Sequence, residues 1–303
     1  MKTIIMAGGR GTRIRPVAGH IPKPMIEIGG KPVLEHEIEC LREQGFRDIL
    51  LTVSHLSSVI MDYFGDGSKI SPATGRPFGV EIEYYIEETP LGNAGALFKL
   101  WKSGKLGGLE ENGSDFLLLN GDAVFHIDFN RFVAFHQSHG GLATLFTHPN
   151  SHPYDSGLII SDSGGRVVRW LTKEDARPLY YKNRVNAGLH VMNTRIFDIA
   201  GINADAVGRK GPDGKLIKVD LDRQLLKPLA GRNLIFVYDS PEYVKDMGTP
   251  RPERRLGAEL CWWAERRGKV TAAGTIMDRM LKPVICWMQW SLFLGSALGT
   301  VEK

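Results

Sequence analysis

A cluster of glycines and cations follows the first short apolar run of the sequence, KTIIM. Its members are Ala7, Gly8, Gly9, Arg10, Gly11, Thr12, Arg13 and Lys23. Glycines let backbone N–H groups approach phosphate oxygens without a Cβ in the way, and the basic side chains supply compensating charge. The spacing fits neither a Walker A loop nor the dinucleotide pattern GxGxxG. We predict a polyphosphate cradle from Ala7 to Arg13, although on spacing alone a structural glycine-rich turn explains the residues equally well.

The elements that would position this cluster alternate between short β-branched runs and amphipathic stretches. KTIIM, DILLTVS, VEIEYYIE and DFLLLNGD predict strands, and PVLEHEIECLREQGF and NAGALFKLW predict helices between them. SGLIISDSGGRVVRWL predicts a hairpin, and RVNAGLHVMN predicts a further strand. This order is typical of an α/β fold with a Rossmann-like, mixed but mainly parallel sheet flanked by helices, and with a small inserted antiparallel element.

The composition sets limits on partners and location. The chain has 303 residues and a formal net charge of +4, which gives no reason to expect nucleic acid as a partner. Its three cysteines lack CxxC spacing and the first apolar run is too short for a signal peptide, so we expect a cytoplasmic protein. The tryptophan-rich run VICWMQWSLFLGSAL is shorter than the roughly 20 residues of a membrane span. We therefore expect no membrane partner, and a C-terminal helical tail of unknown role over residues 251–303.

Several longer strings carry a family resemblance. GGRGTRIRP followed by IPKPM resembles the signature of the sugar nucleotidyltransferases, which join a nucleoside triphosphate to a sugar 1-phosphate and release pyrophosphate. Further strings are similar to later motifs of that family and occur in the same order: EETPLGNAGAL, LLLNGD, WLTKE, NAGLHVMN and VKDMGTP. The resemblance implies a catalytic domain over residues 1–250.

The chemistry of that reaction explains the residue types. A phosphate oxygen must attack the α-phosphorus of a triphosphate, so catalysis consists mainly of positioning and charge neutralisation, and no nucleophilic side chain is needed. By resemblance, Arg13, Lys23 and Asp122 are catalytic, and Asp122 and Asp246 hold Mg²⁺, the expected cofactor. The implied sugar-phosphate residues are Lys173, Asn186 and Gly188. The family often has a glutamate before this lysine, but here Thr172 precedes it, which puts a glutamate–sugar contact in doubt.

The base and the sugar are finer questions. By resemblance, the nucleotide site comprises the loop from Ala7 to Arg13 together with Glu87, Gly92 and Asp122. A carboxylate at position 87 favours guanine, which presents two adjacent donors, and Glu88 takes this role if the register shifts by one. The segments after Leu171 resemble guanylyltransferases acting on D-glycero-D-manno-heptose 1-phosphate, with mannose 1-phosphate enzymes as near neighbours.

The expected activity is therefore the conversion of GTP and a sugar 1-phosphate into a GDP-sugar for cell-surface polysaccharide. Three alternatives stay open: a CDP-glucose or dTDP-glucose type of enzyme, a catalytically silent subunit that senses nucleotide sugars, and a membrane-associated scaffold. The sequence leaves the oligomeric state open, and a homo-oligomer is compatible with it.

Overall fold

The computed structural model describes residues 1–9, 21–107, 113–150 and 157–246. Among the predicted site residues, Gly11, Thr12 and Arg13 lie outside the described residues, as does the tail over 251–303. The side chain of Asp246 is also outside this description.

A nine-stranded sheet forms the centre of the fold. Its strands are β1 (Thr3–Met6), β4 (Asp48–Val53), β5 (Glu81–Ile86), β6 (Asp115–Asn120), β8 (Ala143–His148), β9 (Leu158–Ser161), β10 (Val167–Leu171), β11 (Val185–Asn193) and β12 (Ile235–Asp239). Their order is β10-β9-β11-β6-β1-β4-β5, with β8 joining β11 to β12. β1, β4, β5 and β6 run parallel, whereas β11 is antiparallel to β6 and to β8.

Helices cover both faces of the sheet. They are α1 (Val33–Glu43), α2 (Ser57–Phe64), α3 (Gly95–Lys102), α4 (Phe129–His139) and α5 (Ile196–Ile199). Neighbouring residues of one strand enter different apolar clusters: Ile4 packs with α3 residues, and Ile5 packs with α1 residues. Central parallel strands buried on both faces read as continuous apolar runs, which is why KTIIM and FLLLN were recognisable in the sequence.

Two small antiparallel pairs complete the fold. β2 (Glu27–Ile28) pairs with β3 (Lys31–Pro32), and β7 (Ala123–His126) pairs with β13 (Tyr243–Asp246). The second pair matters for the site because it sets Asp246 opposite Ala123, the residue after Asp122.

The fold class predicted from the sequence is confirmed. The hairpin of β9 and β10 forms the expected antiparallel insertion. Six strands in the described part of the chain were missed, β2, β3, β7, β8, β12 and β13, of which β12 lies parallel to β8. No helix in the described part of the chain is long and apolar enough to cross a membrane.

Candidate active site

A cavity of about 650 Å³ opens where the four parallel strands end. Each strand contributes the residues just past its carboxyl end, which is where open α/β sheets bind ligands. The lining residues are Met6, Gly8, Gly9, Lys23, Pro24, Thr52, Ser54, His55, Glu87, Glu88, Pro90, Leu91, Gly92, Asn93, Asn120 and Asp122. The structure thus brings together the described part of the glycine loop, Lys23, Glu87, Gly92 and Asp122.

The glycine loop begins at the wall of this cavity. The backbone N–H of buried Ala7 donates to the Thr52 carbonyl at 2.9 Å, which continues the β1–β4 pairing. A Cβ on Gly8 would lie 3.3 Å from Glu87 Oε1 and from Ser54 Oγ, whereas one on Gly9 would meet no atom within 4 Å. Of these two glycines, only Gly8 lies so close to its neighbours that a Cβ would displace the Glu87 or Ser54 side chain by a few tenths of an ångström. Its lack of a side chain lets the loop approach the predicted base-reading carboxylate.

Lys23 and Asp122 form an ion pair in the lining of the cavity. Lys23 begins a 3₁₀ turn, Lys23–Met25, and its Nζ donates to Asp122 Oδ2. The lysine side chain is 12% exposed and the aspartate side chain 31%. Asp122 follows Gly121, whose N–H donates to the Met6 carbonyl at 3.0 Å, so the turn after β6 is tied to β1.

The donor chemistry at Asp122 fits a hard cation. Magnesium prefers carboxylate, phosphate and water oxygens and usually takes one or two carboxylates from the protein. Among the residues described, no group of three or more histidine, cysteine, aspartate or glutamate side chains is placed to hold a metal. An ion at Asp122 would therefore need substrate oxygens, with the strand pairing bringing the backbone of Asp246 to the neighbouring residue.

The opposite side of the cavity holds two glutamates. Glu87 is half-buried, accepts a long hydrogen bond from the Leu91 N–H at 3.4 Å, and has its pKa raised by burial. Glu88 is exposed. Both line the cavity, so the alternative register stays open, but only Glu87 is fixed by a hydrogen bond to the segment that ends at Gly92.

Gly92 is held against a distant segment. Its φ is +85°, and a Cβ there would lie 2.3 Å from the Val219 carbonyl oxygen. The Val219 N–H donates to Leu91 O at 2.9 Å, and Asn93 Oδ1 accepts from the Leu221 N–H at 2.8 Å. Glycine is needed at position 92 for both its conformation and the close approach.

The predicted sugar-phosphate residues do not line this cavity, but one of them contacts a residue that does. A Cβ on Gly188, whose φ is +76°, would lie 2.2 Å from Nδ2 of the cavity residue Asn120. Asn186 is bonded within the chain: its Nδ2 donates to Asp222 Oδ1 at 3.1 Å, and its Oδ1 accepts from the Gly188 N–H at 3.2 Å. A sugar contact by Asn186 therefore uses its second amide hydrogen or shares these bonds.

Lys173 is exposed on a turn that Asp175 stabilises. The Asp175 carboxylate accepts from the N–H and the hydroxyl of Thr172, at 2.7 and 2.8 Å, and from Lys227 Nζ at 3.0 Å. These bonds lower the pKa of Asp175 to about 2, the backbone bond from Thr172 having the largest effect. Asp175, which the sequence analysis did not single out, therefore orders the turn that carries Lys173.

Three further titratable residues near the site were missed. Burial, helped by Asp220, raises the pKa of Asp222 to about 6. Burial lowers the pKa of His190 to about 3, and its Nε2 lies 3.0 Å from Asn186 Oδ1. Burial, followed by Asp122, raises the pKa of Glu37 well above its usual value. Asp222 and Glu37 act across separations of 36 and 86 residues, which no local motif reveals.

Comparison with known proteins decides the family. The sequence model described as "Nucleotidyl transferase" matches residues 2–221. The chain belongs to the nucleotidyl transferase family. This match spans the glycine loop, Lys23, Glu87, Asp122, Lys173 and Asn186, so these predicted residues all lie inside the family domain.

Two curated relatives of this member of the nucleotidyl transferase family are named for the same activity. "Mannose-1-phosphate guanyltransferase 2" of Candida glabrata is 29% identical over 253 residues, covering 83% of this chain. "Mannose-1-phosphate guanyltransferase" of Saccharomyces cerevisiae is 28% identical over 253 residues, with the same coverage. The chain spans 62% of the length of each of these relatives.

Solved structures share the fold. HddC from Yersinia pseudotuberculosis superimposes with a TM-score of 0.63 at 24% identity, covering 86% of this chain and 98% of HddC. The same protein complexed with GMP-PN gives a TM-score of 0.62 at 23% identity, covering 86% of this chain and 99% of that one. These likenesses show that the fold is shared.

Proposed function

We propose that this chain is a sugar-1-phosphate guanylyltransferase that converts GTP and a mannose-type or heptose-type sugar 1-phosphate into a GDP-sugar and pyrophosphate. The observation that carries the proposal is one cavity with a lysine–aspartate pair at one side and a hydrogen-bonded glutamate at the other. This arrangement matches a ligand with a polyanionic end and a base that donates hydrogen bonds.

The residues have distinct roles in this proposal. The backbone at Gly8 and Gly9 lies beside the phosphates, and Lys23 turns from Asp122 to the triphosphate, where its charge stabilises negative charge on the departing pyrophosphate. Asp122, with Asp246, would hold magnesium. When bound, the ion neutralises charge on phosphate oxygens.

The transfer step is a direct displacement. An oxygen of the sugar 1-phosphate forms a bond to the α-phosphorus of GTP, and the bond from that phosphorus to the bridging oxygen of pyrophosphate breaks. From the family resemblance, we infer that Lys173 holds the phosphate of the incoming sugar 1-phosphate. By the same resemblance, Arg13 faces the triphosphate. No proton relay is required because the attacking phosphate oxygen is already anionic.

The guanine assignment has three supports. Glu87 offers only acceptors and is fixed by Leu91, the curated relatives named above are guanyltransferases, and one fold neighbour was solved with GMP-PN. A mannose-type sugar is favoured by the names of the relatives, and a heptose-type sugar by the resemblance of the segments after Leu171.

The test crosses GTP, ATP, CTP, UTP and dTTP with mannose, heptose and glucose 1-phosphates, with magnesium present, and measures pyrophosphate release. We expect release with GTP and one of the first two sugars. Release with CTP or dTTP and glucose 1-phosphate instead would overturn the base assignment. Nucleotide binding without release in any combination would favour a silent nucleotide-sugar sensor.

A further inference from the structure

Glu37 is a buried acid directly behind the proposed metal–phosphate site. It lies on α1, is 1% exposed, and its Oε1 accepts from the backbone N–H of Ala123 at 3.2 Å. Its Oε2 is buried and has no hydrogen-bond partner among the residues described. An incompletely bonded polar atom in a core costs stability, so a purely structural explanation for a glutamate here is weak.

The N–H that donates to Glu37 belongs to the peptide between Asp122 and Ala123. Ala123 follows Asp122, begins β7, and stands opposite Asp246 in the pairing with β13. The single contact to Glu37 therefore ties helix α1 to the turn that carries one proposed metal ligand and to the strand pair that carries the other.

We propose that Glu37 is a positioning residue, whose acceptor oxygen fixes the Asp122–Ala123 peptide so that the Asp122 carboxylate is aimed at the metal. This inference rests on the proposed function, because it assumes an ion bound between Asp122 and the nucleotide. Removing a residue that holds a metal ligand in position usually lowers metal affinity or activity about 10-fold to 100-fold.

Glu35, two residues earlier on the same helix, provides a matched comparison. It is also buried, at 0% exposure, but both of its oxygens are bonded away from the site. Tyr63 Oη donates to Oε2 at 2.7 Å and Ser71 Oγ donates to Oε1 at 2.6 Å. Loss of Glu35 should therefore affect stability alone.

The experiment measures Mn²⁺ binding by electron paramagnetic resonance in the presence of GTP and without a sugar phosphate, so that no turnover is involved. Thermal midpoints and the magnesium dependence of pyrophosphate release are measured in parallel. The variants are Glu37→Gln, which keeps the acceptor, Glu37→Met, which removes it, and Glu37→Asp, which shortens the side chain and is available if the methionine variant fails to fold. Glu35→Met is the control.

We expect Glu37→Met and Glu37→Asp to weaken Mn²⁺ binding about 10-fold or more, with Glu37→Gln within about twofold of wild type. Glu35→Met should lower the thermal midpoint and leave Mn²⁺ affinity unchanged. Unchanged Mn²⁺ affinity in Glu37→Met and Glu37→Asp, or equal weakening by Glu35→Met, would overturn the inference, while an active wild type would keep the proposed function. A wild type that neither binds Mn²⁺ nor releases pyrophosphate would refute both.

Discussion

The ion pair of Lys23 and Asp122 is the strongest residue-level feature of this protein. Another partly buried lysine–carboxylate pair in the described part of the chain, Lys31 with Glu39, does not line the cavity. The two lysines are similarly enclosed, with 12% and 9% of their side chains exposed. Their different locations allow the catalytic role proposed for Lys23 to be compared with a structural role for Lys31.

Lys23→Met should therefore abolish most turnover. Loss of a charge that stabilises the transition state typically lowers kcat about 100-fold to 1,000-fold, and we expect that range in pyrophosphate release. Lys31→Met, the matched control, should lower the thermal midpoint and leave kcat within about threefold of wild type, because that pair makes only a stability contribution. Equal kcat losses in the two variants would contradict this assignment.

Glu87 should determine the choice of base. A hydrogen bond to a charged acceptor contributes about 1.5–3 kcal/mol, so Glu87→Gln should lower kcat/KM for GTP by about 10-fold to 150-fold. The preference for GTP over UTP and dTTP should become smaller. Glu88→Gln, the exposed neighbour in the same cavity, should have little effect. If Glu88→Gln rather than Glu87→Gln lowers kcat/KM for GTP, the alternative register is correct and Glu88 contacts the base.

Asp222 should make stability depend on pH. Its pKa is raised to about 6 in the folded protein, above the ordinary value of 3.8, so the folded state holds the proton more tightly than the unfolded state. Its contribution is most favourable below pH 4 and is lost as the pH rises through about 6. Asp222→Asn, which stays neutral, should raise the thermal midpoint relative to wild type at pH 8 and not at pH 4. A midpoint difference that does not vary with pH would contradict the burial of an ionisable Asp222.

At the scale of elements, β11 approaches β6 closely where Gly188, one of the predicted sugar-phosphate residues, contacts the cavity residue Asn120. Gly188→Ala combines a positive φ with a Cβ 2.2 Å from Asn120, whereas Gly201→Ala has a φ of +66° and open space. We expect about 1 kcal/mol of destabilisation at Gly201 from strain alone. At Gly188 we expect about 3 kcal/mol or more, from strain plus overpacking. Urea unfolding measures both, and similar losses would show that the contact with Asn120 is unimportant.

The order of these elements was predictable from the sequence, and much of their pairing was not. KTIIM and DFLLLNGD are continuous apolar runs between helices, so β1, β6 and the parallel part of the sheet follow from local pattern. β12 lies parallel to β8 although some 90 residues separate them, and no local signal specifies that pairing.

The site shows the same division. Glu87 and Asp122 lie in short recognisable strings at strand ends, Lys23 lies in the string IPKPM, and the fold brings all three to one cavity. Glu37 and Asp222 act through single long-range hydrogen bonds, to Ala123 and Asn186, and their local sequences resemble ordinary helix or turn surfaces. Their contribution depends on long-range packing, which the local sequence does not reveal.

At the scale of the whole molecule, the division at residue 250 stays a prediction. The family match ends at residue 221 and the last described strand ends at Asp246, so a chain of residues 1–250 contains every proposed site residue. We expect this shortened chain to unfold cooperatively and to keep GTP-dependent pyrophosphate release. A soluble, folded 1–250 chain without activity would assign a catalytic role to residues 251–303.

The most direct test of the central claim follows the α-phosphate. The protein is incubated with GTP labelled with ³²P at the α-position, magnesium and mannose or heptose 1-phosphate, and the products are separated by chromatography. The account predicts label in a nucleotide sugar, formed with an equal amount of pyrophosphate and lost in Asp122→Asn. Label in GDP or GMP, or label transfer that survives Asp122→Asn, would contradict it.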